Sequence, residues 1–401
     1  MKKGWVVKKI GEVCDLMTGG TPSKSKPEYF KDGKIKWIVS GDIHKKEIFD
    51  CEGRITEDGM ENSNAKYLPV NSIMIALNGQ GKTRGTVAML RTKATCNQSL
   101  VSISPKVKTE LMPEYIFCYL QGQYDEIRRI TGDSGNDRRG LNMPLIRNIS
   151  VPIAPFSEQK KIVDILTKSF AAMEMAKANM EKNLQNLREL FESYLYAKFE
   201  NKNKTWEEKP LKEVCARITD GTHQTPKYFD KGFIFLSSKN VTTGKIDWEN
   251  IKYIDEKQHL EMHRRVAPKV GDILLAKNGT TGVAAIVDRD VVFDIYVSLA
   301  HIRVLESVLP EFMLYFINSP IAKKQFNKRL KGSGVPNLHL EEIREVLVSY
   351  PKSLNDQREV VKELNDFSKK IRALENLYQK KLEDLEELKK SILKKAFSGE
   401  L

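Results

Sequence analysis

Residues 155–199 read PFSEQKKIVDILTKSFAAMEMAKANMEKNLQNLRELFESYLYAKF. After Ser157 the run contains neither Pro nor Gly. Ser157 is placed to cap the first turn through its hydroxyl, and Glu158 puts negative charge near the positive helix end. Apolar side chains recur at steps of four and three: Ile162, Leu166, Met173, Ala176, Met180, Leu187, Leu190 and Tyr194. Ser169 and Asn183 are polar gaps in that stripe. The spacing predicts one long coiled-coil helix. At about 1.5 Å per residue it spans roughly 65 Å.

The stretch occurs twice. A shift of 198 positions turns Glu158-Gln159 into Asp356-Gln357 and Ala197-Lys198-Phe199 into Lys395-Ala396-Phe397. The second helix is expected from Asn355 to Phe397, with a seam of Val360, Leu364, Phe367, Ile371, Leu374, Tyr378, Leu385, Leu388 and Ile392. Lys381 stands where Asn183 stood. An internal repeat of this length is the architecture itself. The connectivity fits an antiparallel coiled coil, because the first helix leads away from a head and the second leads back.

The segments before the helices match in order. Trp5 is matched by Trp206, Ile10–Cys14 by Leu211–Cys215, and the loop Thr18-Gly19-Gly20-Thr21-Pro22-Ser23 by Thr219–Thr222 with Pro226. Further along, Trp37–Ser40 is matched by Phe235–Ser238, Asn78-Gly79 by Asn278-Gly279, and Pro113-Glu114-Tyr115 by Pro310-Glu311-Phe312. His44–Lys46 has no counterpart. Each head mixes short strands with a few helices. The fold class is therefore α+β: two similar globular heads, 1–156 and 201–353, separated by spacer helices 157–200 and 354–401, with a pseudo-twofold internal repeat. The same framework with different loops implies the same task performed on two different ligands.

With 401 residues the chain holds two or three domains. Its net charge of +13 suits a polyanion, most often nucleic acid. No apolar run is long enough for a membrane helix, and the opening MKKGWVVKKIGEV does not read as a signal peptide. Five scattered cysteines without a C-x-x-C pair point to free thiols in a reducing cytoplasm.

The segment Asn78-Gly79-Gln80-Gly81-Lys82-Thr83 fails as a phosphate-binding loop, because Ala76 stands where glycine is needed and strand-like residues follow. A glycine-rich loop that carries Lys82 and Arg84 to DNA is the better reading. His259 and His263 stand four apart, without a third ligand nearby in sequence, and read as a surface helical turn rather than a metal site. No nucleophile elbow, paired-carboxylate or methyl-donor motif is legible. The candidate DNA contacts are the loop residues of both heads. In the first they are Thr18, Gly20, Thr21, Lys24, Lys45, Lys46, Asn78, Lys82, Arg84, Arg138 and Arg139. In the second they are Thr219, Thr222, Lys239, Asn240, Asn278, Thr280, Lys328, Lys331 and Ser333. Lys and Arg neutralise phosphates, while Arg and Asn read base edges. Two other readings compete. One is a coiled-coil scaffold whose basic heads bind nucleic acid without sequence preference; the other is a nuclease with a concealed carboxylate site.

The twofold head-plus-helix order, the Thr18–Ser23 loop, Pro155 with Glu158-Gln159, and the ending Lys395-Ala396-Phe397-Ser398-Gly399-Glu400-Leu401 together resemble the specificity subunit of a type I restriction–modification enzyme. Asp356 in place of glutamate, and Thr219-Asp220-Gly221-Thr222-His223 without paired glycines, depart from the pattern. The resemblance implies two target-recognition domains, each reading one half of a bipartite site in double-stranded DNA, with a helical spacer fixing the unread gap. It implies two modification subunits that bind S-adenosylmethionine and methylate adenine. ATP-dependent restriction subunits, with Mg, are optional further members. This chain would then be non-catalytic and cofactor-free, a cytoplasmic protein that supplies the address.

Overall fold

The computed structural model describes residues 2–79, 81–132, 140–200, 206–330 and 337–401. Arg138, Arg139, Lys331 and Ser333 lie outside the described residues. The first head runs β1 (Val6–Lys9), α1 (Ile10–Val13), β2 (Cys14–Thr18), β3 (Ile35–Ile38), β4 (Glu47–Ile48), β5 (Arg54–Ile55), α2 (Glu57–Glu61), β6 (Ile73–Ala76), β7 (Val87–Leu90), β8 (Thr95–Cys96), β9 (Leu100–Pro105), α3 (Pro113–Gly122), α4 (Tyr124–Ile130), α5 (Met143–Arg147) and β10 (Ser150–Ile153). The long helix α6 (Phe156–Glu200) follows. The second head repeats the order: β11 (Trp206–Pro210), α7 (Leu211–Val214), β12 (Cys215–Asp220), β13 (Phe233–Leu236), β14 (Lys252–Ile254), α8 (Glu256–Arg265), β15 (Ile273–Ala276), β16 (Ala284–Ile286), β17 (Phe293–Ile295), β18 (Leu299–Val304), α9 (Pro310–Asn318), α10 (Pro320–Arg329), α11 (Leu340–Arg344) and β19 (Leu347–Pro351). The second long helix, α12 (Leu354–Ser398), ends the chain's regular structure. Among the described strands, β4 alone lacks a counterpart, and it follows directly on His44–Lys46.

The chain divides into two compact units. Unit 1 is Met1–Asn179 with Lys380–Leu401, and unit 2 is Met180–Gln379. Each unit therefore holds one head and a part of both long helices. In unit 1 the sheet order is β2-β9-β6-β7-β4, beside a second sheet β5-β3-β8. The central strands are covered on both faces, which is why they read as unbroken apolar runs. Ile73, Ile75, Val101 and Ile103 face Tyr115 and Ile116 of α3, together with Ile162 and Leu166 of α6 and Leu393 and Ala396 of α12. Met74, Ala76, Ala88 and Leu90 face Ile38, Ile43 and Ile48. Unit 2 repeats the scheme with β12-β18-β15-β16 and β14-β13-β17. Ile273, Leu275 and Ile302 pack on Phe312 and Phe316 of α9, with Phe199 of α6 and Val360 and Leu364 of α12.

Within each unit the helices run antiparallel. In unit 1 Lys177 reaches Glu386 at 3.5 Å, and Lys389 lies over the Phe170 ring. In unit 2 Lys198 pairs with Glu363, Tyr194 packs on Phe367 with ring centres 4.4 Å apart, and Asn183 Nδ2 donates to Tyr378 Oη at 3.3 Å. A polar pair inside a seam fixes register at some cost in stability. Ile162, Leu166, Leu187, Val360, Leu364 and Ile371 are buried, while Met173, Met180 and Leu385 are half-buried. Leu374 and Leu388 are corrections to the expected seam, being 42% and 48% exposed. Leu190 is exposed as well. After Ile371 the seam steps by four to Glu375 and then to Tyr378, Leu382 and Leu385, so residues three past Ile371 and Leu385 fall on the outer face.

Ser157 is not the cap of α6. The helix begins one residue before it, and the Pro155 carbonyl accepts from Glu158 N and Gln159 N. At α12 the cap is Ser353, whose Oγ accepts from Asn355 N at 3.2 Å and Asp356 N at 3.4 Å. Glu158 is used otherwise: Trp5 Nε1 and Lys2 donate to its carboxylate, tying β1's lead-in to α6. Among the described residues no helix is long and apolar enough to cross a membrane.

Candidate nucleic-acid interface

In unit 1, β2 and β6 end where β9 begins. Thr18 pairs with Val101, and Ala76 with Leu100. The loops leaving β2 and β6 therefore emerge from one end of the sheet. The first is held close: Thr18 Oγ1 donates to Leu100 O at 3.0 Å, Trp37 Nε1 to Gly20 O at 2.9 Å, and Thr21 to Gln98. Gly19 is obligatory here, because a Cβ on it would stand 1.8 Å from Cys96 O. The second loop rests on α4, where Tyr124 Oη donates to Lys82 O at 3.0 Å and Arg128 to Gly81 O at 2.7 Å. His44 Nε2 meets Thr83 Oγ1 at 3.1 Å. Asn78 and Lys82 are left exposed at this end.

Unit 2 builds the same end with different chemistry. Asp220 pairs with Ala300, and Ala276 with Leu299. Gly221 is the counterpart of Gly19: a Cβ on it would stand 1.9 Å from Ile295 O. Thr222 N donates to that carbonyl just as Gly20 N donates to Cys96 O, both at 3.0 Å. The second glycine of the first head is thus replaced by Thr222, and the first is kept for steric reasons. Beside it, Asp220 accepts from Lys277 Nζ at 2.6 Å and from Arg265 Nη2 at 2.7 Å. Burial alone would push this carboxyl up; the bonds from Lys277, Arg265 and His223 outweigh burial and hold it below its ordinary range. Asn278 forms an isolated bridge to Asn337, and Gly279 and Thr280 are exposed at the turn.

Two loop-bearing sheet ends of the same design, one per unit, are what a chain with two recognition modules needs. Residues 2–185 and 203–384 each match the family described as Type I restriction modification DNA specificity domain. The chain belongs to that family. Similar chains include the MjaVIII specificity subunit of Methanocaldococcus jannaschii, 26% identical over 99% of this chain and 93% of that one. The EcoR124I/EcoR124II specificity subunit of Escherichia coli is 28% identical, over 40% of each chain. A chain from a solved structure described as the structural basis of complex assembly and conformational transition of the type I R-M system shares the fold. Its TM-score is 0.79 at 18% identity, covering 100% of this chain and 99% of that one. Membership in the specificity family decides for the sequence-reading role over the non-specific scaffold.

Within this specificity fold the expected contacts separate into exposed and committed groups. Lys24, Asn78, Lys82, Lys239 and Thr280 are exposed, and Thr21, Thr219 and Asn278 are half-buried beside them. Several others bond within the protein; the buried ones, Asn240, Thr222 and Gly20, are corrections, while Lys45 and Lys46 stay exposed. Asn240 is buried, its Oδ1 accepting from Ser237 N and its Nδ2 donating to Asp247 O and Asn250 O. Thr222 is buried and accepts from Gln224 N. Gly20 is buried and Thr18 is bonded as above. Arg84 is turned onto Gly132 O at the end of α4. Lys45 is held by Asp42 at 2.7 Å, and Lys46 by Glu174 of α6 at 2.7 Å. Lys328 sits in the last turn of α10, not in a loop, where its charge complements the helix dipole.

Other groups went unseen in the sequence. Gln98 and the Lys277–Asp220–Arg265 network became visible only once the strands were paired. His259 and His263 are not a surface turn. His259 is buried, its Nδ1 lies 2.7 Å from Asp294 Oδ2, and His263 Nδ1 lies 3.1 Å from Asp294 Oδ1. Burial pushes the Asp294 carboxyl up despite both imidazoles. An aspartate inside the apolar run Val291-Val292-Phe293-Asp294-Ile295 was the available signal, since a buried charge requires a partner.

Proposed function

We propose that each head reads one half of a bipartite, asymmetric site in duplex DNA with the loops at its sheet end, and that the length of the α6/α12 pair sets the unread gap. Residues 1–156 and 201–353 are the target-recognition domains in this reading. Its support is the repetition of one fold in the same element order, β4 apart, with matching backbone constraints at Gly19 and Gly221 and unlike side chains around them. The exposed Asn78, Lys82, Lys239 and Thr280 supply base-edge and phosphate contacts. Two modification subunits would bind S-adenosylmethionine and methylate adenine, with restriction subunits adding ATP- and Mg-dependent translocation. This chain contributes the address and no bond-making step, and it works in the cytoplasm.

The test is a map of adenine methylation produced by the assembled complex. Exchanging residues 1–156 for another head should change one half-site and leave the other intact. Inserting seven residues after Asn179 and seven after Gln379, at the boundary between the units, lengthens each helix by about 10.5 Å. That corresponds to a gap about 3 base pairs longer, with both half-sites unchanged. An unaltered gap would refute the spacer role.

A further inference from the structure

Unit 2 carries a side-chain cluster that is not among the proposed DNA contacts. α8 presents His259 and His263 one turn apart, and β17 presents Asp294 opposite them. Each imidazole turns Nδ1 toward a different oxygen of the one carboxylate, at 2.7 and 3.1 Å. One candidate donor atom from each residue lies within 4.8 Å of the others. The Phe233 ring stacks on His259 with centres 3.8 Å apart and planes 7° apart, fixing the imidazole's orientation. Asp294 is 1% exposed. A carboxylate buried so fully needs a compensating cation.

We propose that His259, His263 and Asp294 form a binding site for a divalent transition-metal ion, with Zn²⁺ the best match. Imidazole and carboxylate suit this ion, and three protein ligands leave a fourth position for water. Ligand atoms about 2.0–2.1 Å from a tetrahedral zinc stand roughly 3.3 Å apart, so the pair at 2.7 Å must open by about half an ångström and atoms as far as 4.8 Å apart must close by about 1.5 Å to take the ion. The fold does not require these residues. In unit 1 the position of Asp294 is taken by Thr95, since Trp37 pairs with Thr95 as Phe235 pairs with Asp294. The matching helix α2 is five residues long and has no histidine. Among the described residues, three ligand-type side chains therefore converge in one head alone.

The ion would staple α8 to β17. The C-terminal residue of α8 is Arg265, which bonds Asp220 at the loop-bearing sheet end. Metal occupancy would thereby steady the loop at Thr219–Thr222 in the second head only. That consequence rests on the half-site reading above; the site itself does not.

The test uses the full chain, stripped with a chelator and titrated with Zn²⁺ against a chromophoric competitor, then with Co²⁺ as a spectroscopic probe. The expected result is one equivalent bound, and intense visible Co²⁺ absorption of the kind given by low-coordinate sites. His263→Ala, at a half-exposed position, should weaken binding by about 100-fold or more, beyond the cost of losing an outer partner. Asp294→Asn should do the same, and hydrogen exchange should show Zn²⁺ protecting α8 in the wild type only. Equal Zn²⁺ affinity in wild type and His263→Ala, or a Co²⁺ spectrum unchanged from the aqueous ion, would overturn the proposal. Neither readout involves DNA, so failure here leaves the recognition reading standing.

Discussion

Replacing Gln357 with Leu should detach α12 from the second head. Gln357 is fully buried. Its Oε1 accepts from Leu309 N at 2.7 Å, and its Nε2 donates to Ser307 O at 3.0 Å and Pro351 O at 2.8 Å. One side chain thus joins the lead-in to α9, the end of β19 and the start of α12. Leucine has similar volume and satisfies none of the three. An unsatisfied buried polar group costs about 1–3 kcal/mol, with the N–H the most expensive and the carbonyls less so. The added apolar burial returns about 1–2 kcal/mol, and the net loss is about 3 kcal/mol. Because the chain has two units, a single melting temperature is the wrong readout. Hydrogen exchange followed by mass spectrometry resolves peptides around Leu309 and Gln357, where a loss of about 3 kcal/mol accelerates exchange by about 100-fold. Gln159→Leu is the internal control. Gln159 makes the same three bonds in unit 1, from Met112 N at 3.0 Å and to Glu110 O and Ala154 O at 2.8 Å. It should produce the same acceleration around Met112. A change below about 5-fold at both sites would refute the reasoning, because it would mean that the three backbone groups find other partners at no cost.

Gly19→Ala and Gly221→Ala should each destabilise their own unit by about 2–3 kcal/mol, because the new methyl meets a backbone carbonyl; urea unfolding followed by exchange within each unit checks this, and wild-type stability in both would refute it. Asp272 should make unit 2 the acid-sensitive one. Burial pushes its carboxyl up, but Arg303 and His301 outweigh burial and hold it far below its ordinary range. The folded pKa is depressed, so this stabilisation is present above the unfolded value near 4 and is lost as pH falls through it toward the folded value. Asp272→Asn should cost about 3 kcal/mol at neutral pH, where it leaves Arg303 without its counter-charge and disturbs the hydrogen bond to buried His301, and should flatten the acid limb of unit 2's stability profile. An acid limb identical to wild type would refute it.

Several features were legible because their signal is local. Helical periodicity at 155–199 and its return near the C-terminus gave both long helices, since side chains three and four apart share a face whatever the rest of the chain does. The heads were legible as an α+β repeat for the same reason: Pro113 and Pro310 open helices in both, and the apolar runs at Ile73–Ala76 and Ile273–Ala276 are strands in both. Leu374 and Leu388 were misassigned because a heptad stripe can be continued by a step of three or four, and only the packed partner chooses. Ser157 was misplaced because Pro155 already supplies the turn.

The sequence by itself determined the number of heads, the helices that join them, the α+β class, and a charge suited to a polyanion. Tertiary structure decided which side chains meet. Thr18 lies beside Val101, Asp220 holds Lys277 and Arg265, and Asp294 stands between two histidines, through strand pairings and packing that bring together residues 31–83 positions apart in the chain. It also decided that Asn240, Thr222 and Arg84 are spent on holding loops. A loop residue's polarity is the same whether it faces DNA or a backbone carbonyl. Only the folded chain, by burying one partner and exposing another, separates the two.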